Sequence, residues 1–238
     1  MGNSTRSRSF RLALTACAVM LGVHGAACCA AGAASAAATP SMAPPAGAYT
    51  IDKAHLSLLV RANHMGFSTY TTRFSSVDAK LSFDPAHIAA SKVVATIDAD
   101  SFQMDDAPKQ CMDIMKGAQM LDVAKHAQIV FRSDKVRMTG AKSFEIDGTL
   151  ELLGVKRPVV LAATYNGGYA GMAPMDPQAR IGFSAHGSIR RSDFGMSFGI
   201  PAPGTTIGVG DRVDVAIEAE FTGPALPRKD DAKQAEKS

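Results

Sequence analysis

Leu56, Leu58, Val60 and Ala62 occupy every second position of a run that ends at His64, and Val93, Ala95, Ile97 and Ala99 alternate with Val94, Thr96, Asp98 and Asp100. Successive side chains of an extended strand point to opposite faces, so this period of two predicts strands with one apolar and one polar face. The pattern recurs in Phe144, Ile146, Gly148, Leu150 and Leu152, in Val159, Leu161, Ala163 and Tyr165, in Ile181, Phe183 and Ala185, and in Val213, Val215, Ile217, Ala219 and Phe221. About eight strands follow from it. Connections such as Asn166-Gly167-Gly168 suit hairpin loops and leave no room for crossover helices, which makes the strands antiparallel.

One stretch breaks the alternation. Between Ser101 and Ala127, Cys111, Ile114, Met115, Ala118 and Leu121 fall near helical spacing, which predicts one or two short helices. Asp105 or Asp106 would cap the start, with Pro108 in the first turn, and Gly117 would break the helix. Met104, Met112, Met115 and Met120 gather there, flexible side chains suited to a pliable lid. The fold predicted is mainly β: a single eight-stranded antiparallel barrel, its interior filled by side chains or holding one small ligand, with the short helices closing one end.

The termini read differently from the body. Residues 1–38 have the order of a secretory signal: Arg6, Arg8 and Arg11, an apolar run of 12 residues from Leu12 to Val23, then a small-residue tract with A-x-A cleavage sites. About 20 residues are needed to span a bilayer, so no integral membrane segment is expected once the signal is cleaved. Residues 39–48 read as a flexible tether, 49–223 as the folded barrel and 224–238 as a disordered charged tail. The expected location is the periplasm. Cys17, Cys28 and Cys29 leave with the signal, so Cys111 has no intramolecular partner, although it could bridge two copies in a homodimer.

Charge removes some functions. Without the three leader arginines, 22 basic residues face 22 acidic ones, a balance unsuited to nucleic acid. The chain has four Tyr and no Trp, too few for the aromatic girdles of an outer-membrane barrel. His55, His64, His87, His126 and His186 show no zinc spacing, so no metal is expected. No Walker or G-x-G-x-x-G string occurs. Asp98 and Asp100 would share one face of a strand, most simply as solvated acids. In R-S-D-F-G-M, Arg191 and Asp193 either bridge to pin a strand end or form a polar rim for a ligand head group.

Four segments in order carry a family resemblance: Y-T-I-D-K-A-H from Tyr49 with His64-Met65-Gly66 after it, L-D-V-A-K-H-A-Q-I-V-F-R-S from Leu121, G-T-L-E-L-L-G-V-K-R-P-V-V-L from Gly148, and R-S-D-F-G-M followed by V-G-D-R-V. Together they resemble the YceI family of secreted, lipocalin-like barrels over roughly Tyr49 to Phe221. The stretch Cys111-Met112-Asp113-Ile114-Met115 and Ala127 depart from the family's usual residues. The resemblance implies an apolar channel, closed near one end by helices, that binds a polyprenyl lipid or quinone tail, with no covalent cofactor and no catalysis. With the Leu56–His64 face taken as inward, the expected ligand-binding residues are Leu56, Leu58, Val60, His64, Phe74, Leu81, Ile97, Phe131, Ile146, Leu150, Phe183 and Val215. Met115, Met120 and Leu121 join them from the lid, and Arg191 and Asp193 form the polar rim. The leading expectation is a periplasmic carrier; the alternative is a periplasmic enzyme or redox accessory using His64, Arg191 and Asp193 around the head group.

Overall fold

The structure, a computed structural model, describes residues 43–226. The signal read over 1–38, the start of the tether and the tail from 227 onward lie outside the described residues. Ten strand segments are present: β1 Gly47–His64, β2 Ser68–Phe74, β3 Val77–Phe83, β4 Lys92–Asp98, β5 Phe102–Gln103, β6 Gln128–Met138, β7 Ser143–Leu152, β8 Val155–Tyr169, β9 Gln178–Arg190 and β10 Val209–Ala225. Among the described residues there is one α-helix, α1, over Lys109–Lys116.

The ten segments make eight staves. β2 and β3 run one after the other along β1, with Phe74 opposite Leu58 and Leu81 opposite Tyr49, and Ser75-Ser76 forms the break between them. β4 and β5 are the matching interrupted stave, with Ile97 opposite Val77 and Phe102 opposite Phe74. Every pairing is antiparallel, and β1 closes on β10 through pairs such as Leu58 with Ile217 and Val60 with Val215. The result is the closed eight-stranded antiparallel barrel that the alternation predicts. Closure leaves few free edges, which suits a sheet of this length.

Both ends of the fold extend past the sequence reading. Gly47 and Ala48, read as tether, pair with Phe83 and Ser82, and Pro224 and Ala225, read as tail, belong to β10. Asn166-Gly167-Gly168 is no hairpin loop. It lies inside β8, where the register to β9 shifts between Tyr165 and Gly167, and the connection to β9 comes later. A glycine pair serves a bulge as well as a turn, so composition alone does not separate the two.

The Tyr49 to His55 motif is itself a bulge. Opposite β10, five residues of β1 advance from Ile51 to Leu56 while β10 retreats only from Phe221 to Ala219. That offset lets Ile51 and Leu56, on opposite parities, both line the interior. Asp52 holds the extra residues: its carboxylate accepts from the Ala54 amide at 3.0 Å, pairs with His55 Nδ1 at 2.9 Å and takes the Arg180 guanidinium at 2.5 Å.

One end of the barrel has an aromatic floor. The Phe183 ring packs 5.7 Å from Phe83, 5.5 Å from Tyr165, 6.2 Å from Phe144 and 6.0 Å from Phe221. Tyr49 joins them edge-on to Phe83. Gly223 makes room for Tyr49, since a Cβ there would stand 2.1 Å from the ring. Gly148 does the same for Phe131, whose Cζ would lie 2.4 Å from an added Cβ.

The helical insertion sits at the other end and is shorter than the pattern suggests. Ala99–Ser101 is one 3-10 turn, and α1 has eight residues. Neither Asp105 nor Asp106 caps it: Pro108 is the N-cap, the Asp105 carboxylate bonds Arg73 at 2.9 Å, and Asp106 has φ of 52°. Gly117 ends the helix as read. Asp98 and Asp100 do not share a strand face, because β4 ends at Asp98, whose side chain accepts from the Asp100 amide at 3.0 Å and turns the chain. Lys116 then ties α1 to that turn, 2.8 Å from the Asp100 carboxylate. Met104, Met112, Ile114 and Met115 pack onto buried Phe102, Met120, Leu121 and Leu152.

Candidate functional site

Between floor and helix lies a cavity of about 770 Å³, within the roughly 300–1,000 Å³ range of small-molecule sites. It follows from the strand pattern. Alternate residues of every stave point inward, and an eight-stranded barrel is just wide enough for side chains or one ligand. Here the inward residues fill the floor and leave the rest open.

Leu56, Leu58, Val60 and His64 of β1 line it, as do Phe74 of β2, Leu81 of β3, Ile97 of β4, Phe131 of β6, Ile146 and Leu150 of β7, Phe183 of β9 and Val215 of β10. Met115 of α1 and Met120 and Leu121 after it line the helix end. His64 is exposed where β1 ends, and Tyr70, Asp106, Cys111 and Phe198 complete that mouth. Phe102, Met104, Ile129, Met196 and Phe198 also line the cavity. Phe102 and Met104 lie on the opposite parity to Ile97 because the 3-10 turn Ala99–Ser101 intervenes, so alternation alone does not reach them. Met196 and Phe198 come from the irregular segment between β9 and β10, although their apolar string was visible.

Charge is scarce inside: the lining includes Lys92, Asp106 and Arg191. Lys92 is exposed and turns its amine to the Asp134 carbonyl. Asp106 is exposed at the mouth. Arg191 alone of these is buried, 3% exposed. Its guanidinium donates to the carbonyls of Gly210 at 3.0 Å, Met196 at 3.0 Å, Phe198 at 2.7 Å and Val209 at 2.6 Å. Burial pushes its pKa down and the nearby Asp211 opposes the shift; an arginine stays protonated under such a shift. The side chain therefore laces the segment after β9 to the start of β10 and presents its charge at the cavity wall.

Asp193 is not part of the rim. It lies in the 3-10 turn Arg191–Phe194, where two residues of tight turn carry it to the outer surface, and its neighbours there include Arg157, Arg190 and Arg212. No Arg191–Asp193 bridge forms; the carboxylate that orders this turn is Asp211, which accepts from the Ser192 amide and hydroxyl, each at 2.9 Å. Among the described residues, Ser91 Oγ is a buried polar atom without a hydrogen-bond partner, and it too lines the cavity.

One side-chain cluster outside the cavity has metal-ligand chemistry. Asp52, His55 and Glu220 bring ligand atoms within 4.8 Å of one another. The Arg180 guanidinium already stands there, 2.5 Å from Asp52 and 3.7 Å from Glu220, and supplies the positive charge a cation would. That contact, with the His55 bond next, lowers the Asp52 pKa to about 2.

Comparison with known proteins agrees with this architecture. The YceI-like domain model matches residues 49–221. A UPF0312 protein of Vibrio cholerae is 32% identical over 174 residues, covering 72% of this chain and 85% of the relative. A UPF0312 protein of Azotobacter vinelandii is 35% identical over 150 residues, 62% of this chain and 76% of its own length. Among solved structures, Burkholderia cenocepacia BcnA superposes with a TM-score of 0.60 at 24% identity, over 71% of this chain and 98% of that one. A polyisoprenoid binding domain from Saccharophagus degradans superposes with a TM-score of 0.56 at 15% identity, over 75% and 99%. At those identities the structures speak for the lipocalin-like fold. The family match spans the barrel from Tyr49 on β1 to Phe221 on β10, and the chain belongs to the YceI-like family.

Proposed function

We propose that this protein is a periplasmic binding or carrier protein that holds a long-chain isoprenoid lipid or quinone tail in its barrel. The observation that carries the reading is the open cavity of about 770 Å³ with an apolar wall and one buried charge. Water in such a space lacks the two to four polar partners it requires, whereas each buried methylene contributes about 0.8 kcal/mol. A chain of isoprene units meets that wall without needing polar recognition, and Arg191 and His64 stand where a head group would meet the mouth. The name of the Saccharophagus degradans domain supports the same ligand class. The signal-like order of residues 1–38 supports the periplasm, which fractionation of cells would test directly.

The enzymatic alternative requires His64, Arg191 and Asp193 at one head group, and Asp193 stands outside the cavity. The deciding experiment is mass spectrometry of a chloroform–methanol extract of protein purified without detergent from its native cells, beside a Leu58→Glu variant. A prenyl lipid released by the first and missing from the second is the expected result. An extract without lipid in both overturns the carrier reading.

A further inference from the structure

Two loops meet beside the cavity mouth and share an unusual composition. Residues 62–72, spanning the β1–β2 turn, contain no Asp, Glu, Lys or Arg, and neither do residues 194–210, the segment leading into β10. Their backbones touch. The Met65 amide donates to the Gly208 carbonyl at 2.8 Å, and within the second loop the Val209 amide donates to the Gly199 carbonyl at 2.8 Å. A Cβ on Gly66 would stand 3.1 Å from Thr206. On this joined lip, large apolar side chains face water: Phe67 is 84% exposed, Ile207 74% and Phe198 47%. Tyr70 stands next to them, partly exposed.

Single exposed apolar residues are ordinary, but several on adjoining uncharged loops mark a contact surface. Phe198 both lines the cavity and is exposed at its mouth, so it joins the apolar cavity wall to the lip. A hydrocarbon phase matches both features: it welcomes aromatic and aliphatic side chains at its boundary and needs no ionic partner. Resting on the carrier reading, we propose that Phe67, Phe198 and Ile207 form a lip that dips into a lipid bilayer and sets the cavity mouth against it, so that a prenyl chain passes between membrane and barrel without crossing water.

The test uses protein purified as its own cells produce it, floated with phosphatidylcholine vesicles. It is run beside Phe67→Ser/Ile207→Ser and, as a control from the loop at the opposite end, Met172→Ser/Met175→Ser. The lip variant is expected to bind vesicles roughly tenfold less well, while the methionine variant matches wild type. Binding is expected to persist at about 1 M salt, where charge attraction is screened within about 3 Å. Prenol uptake from detergent micelles, measured on all three, is expected to survive in the lip variant. Equal vesicle binding by wild type and lip variant overturns the lip, as does a wild type that never binds. A lip variant whose only change is loss of a dimer in sedimentation overturns it too, since a second copy then covers the surface. Prenol uptake absent from all three is the separate failure of the carrier reading.

Discussion

At the scale of single residues, two charged groups hold irregular backbone in place, and each makes a measurable difference. Asp52 pins the β1 bulge, and its pKa of about 2, against 3.8 ordinarily, follows first from the Arg180 contact and then from His55. A lowered carboxylate pKa means that the unfolded chain binds the proton first. The stabilisation is therefore complete above pH 3.8 and is lost as pH falls through 2. For this side chain, 16% exposed, the loss is on the order of 1–2 kcal/mol after solvent screening. Asp52→Asn is expected to lower stability at neutral pH and flatten the acid limb of a urea midpoint-versus-pH curve. Arg191 is the second case. Four carbonyls depend on its fork, so Arg191→Met should cost about 3–5 kcal/mol in urea unfolding. Arg191→Lys should recover only part, because an ammonium cannot reach four separated acceptors with three donors.

Elements explain which parts of the site were legible beforehand. Leu58, Val60, Phe131, Ile146 and Val215 lie on unbroken stretches of strand, where parity assigns a face directly. Parity fails across irregularities: the Asp52–His55 bulge and the β4-to-β5 turn each reset it, and neither leaves a mark in hydrophobicity. Arg191 was legible as important but not as to why, because its partners are backbone carbonyls, which no residue pattern encodes. Asp193 looked like its partner only through proximity in sequence. The lid was visible in its methionines, and α1 makes it testable, since Cys111 is exposed and lines the mouth. Alkylation of Cys111 should slow when a prenyl lipid occupies the cavity and return to the faster rate after extraction. Mild oxidation should yield a disulfide-linked dimer on a non-reducing gel, and a dimer band that survives Cys111→Ser would refute that linkage.

At the scale of the whole molecule, the barrel divides its interior between stability and binding. Around the floor, Phe183 and its ring neighbours pack as a core, and aromatic contacts of this geometry contribute beyond their buried area. Above it, the cavity leaves wall residues with no atoms opposite them, so those contacts are missing until a ligand supplies them. A ligand that binds only the folded barrel therefore stabilises it by mass action, by about 2.7 kcal/mol when present at 100 times its Kd. In a domain of this size each kcal/mol moves the melting temperature by about 2–4 °C. Delipidated protein should accordingly melt roughly 5–10 °C below protein saturated with a prenyl lipid. Leu58→Glu places a carboxylate in the middle of the wall and should abolish that difference in differential scanning calorimetry. Gly223→Ala presses on Tyr49, which packs edge-on against Phe83 of the floor, and should lower both melting temperatures while preserving the gap. A gap that persists in Leu58→Glu would place the ligand elsewhere on the protein.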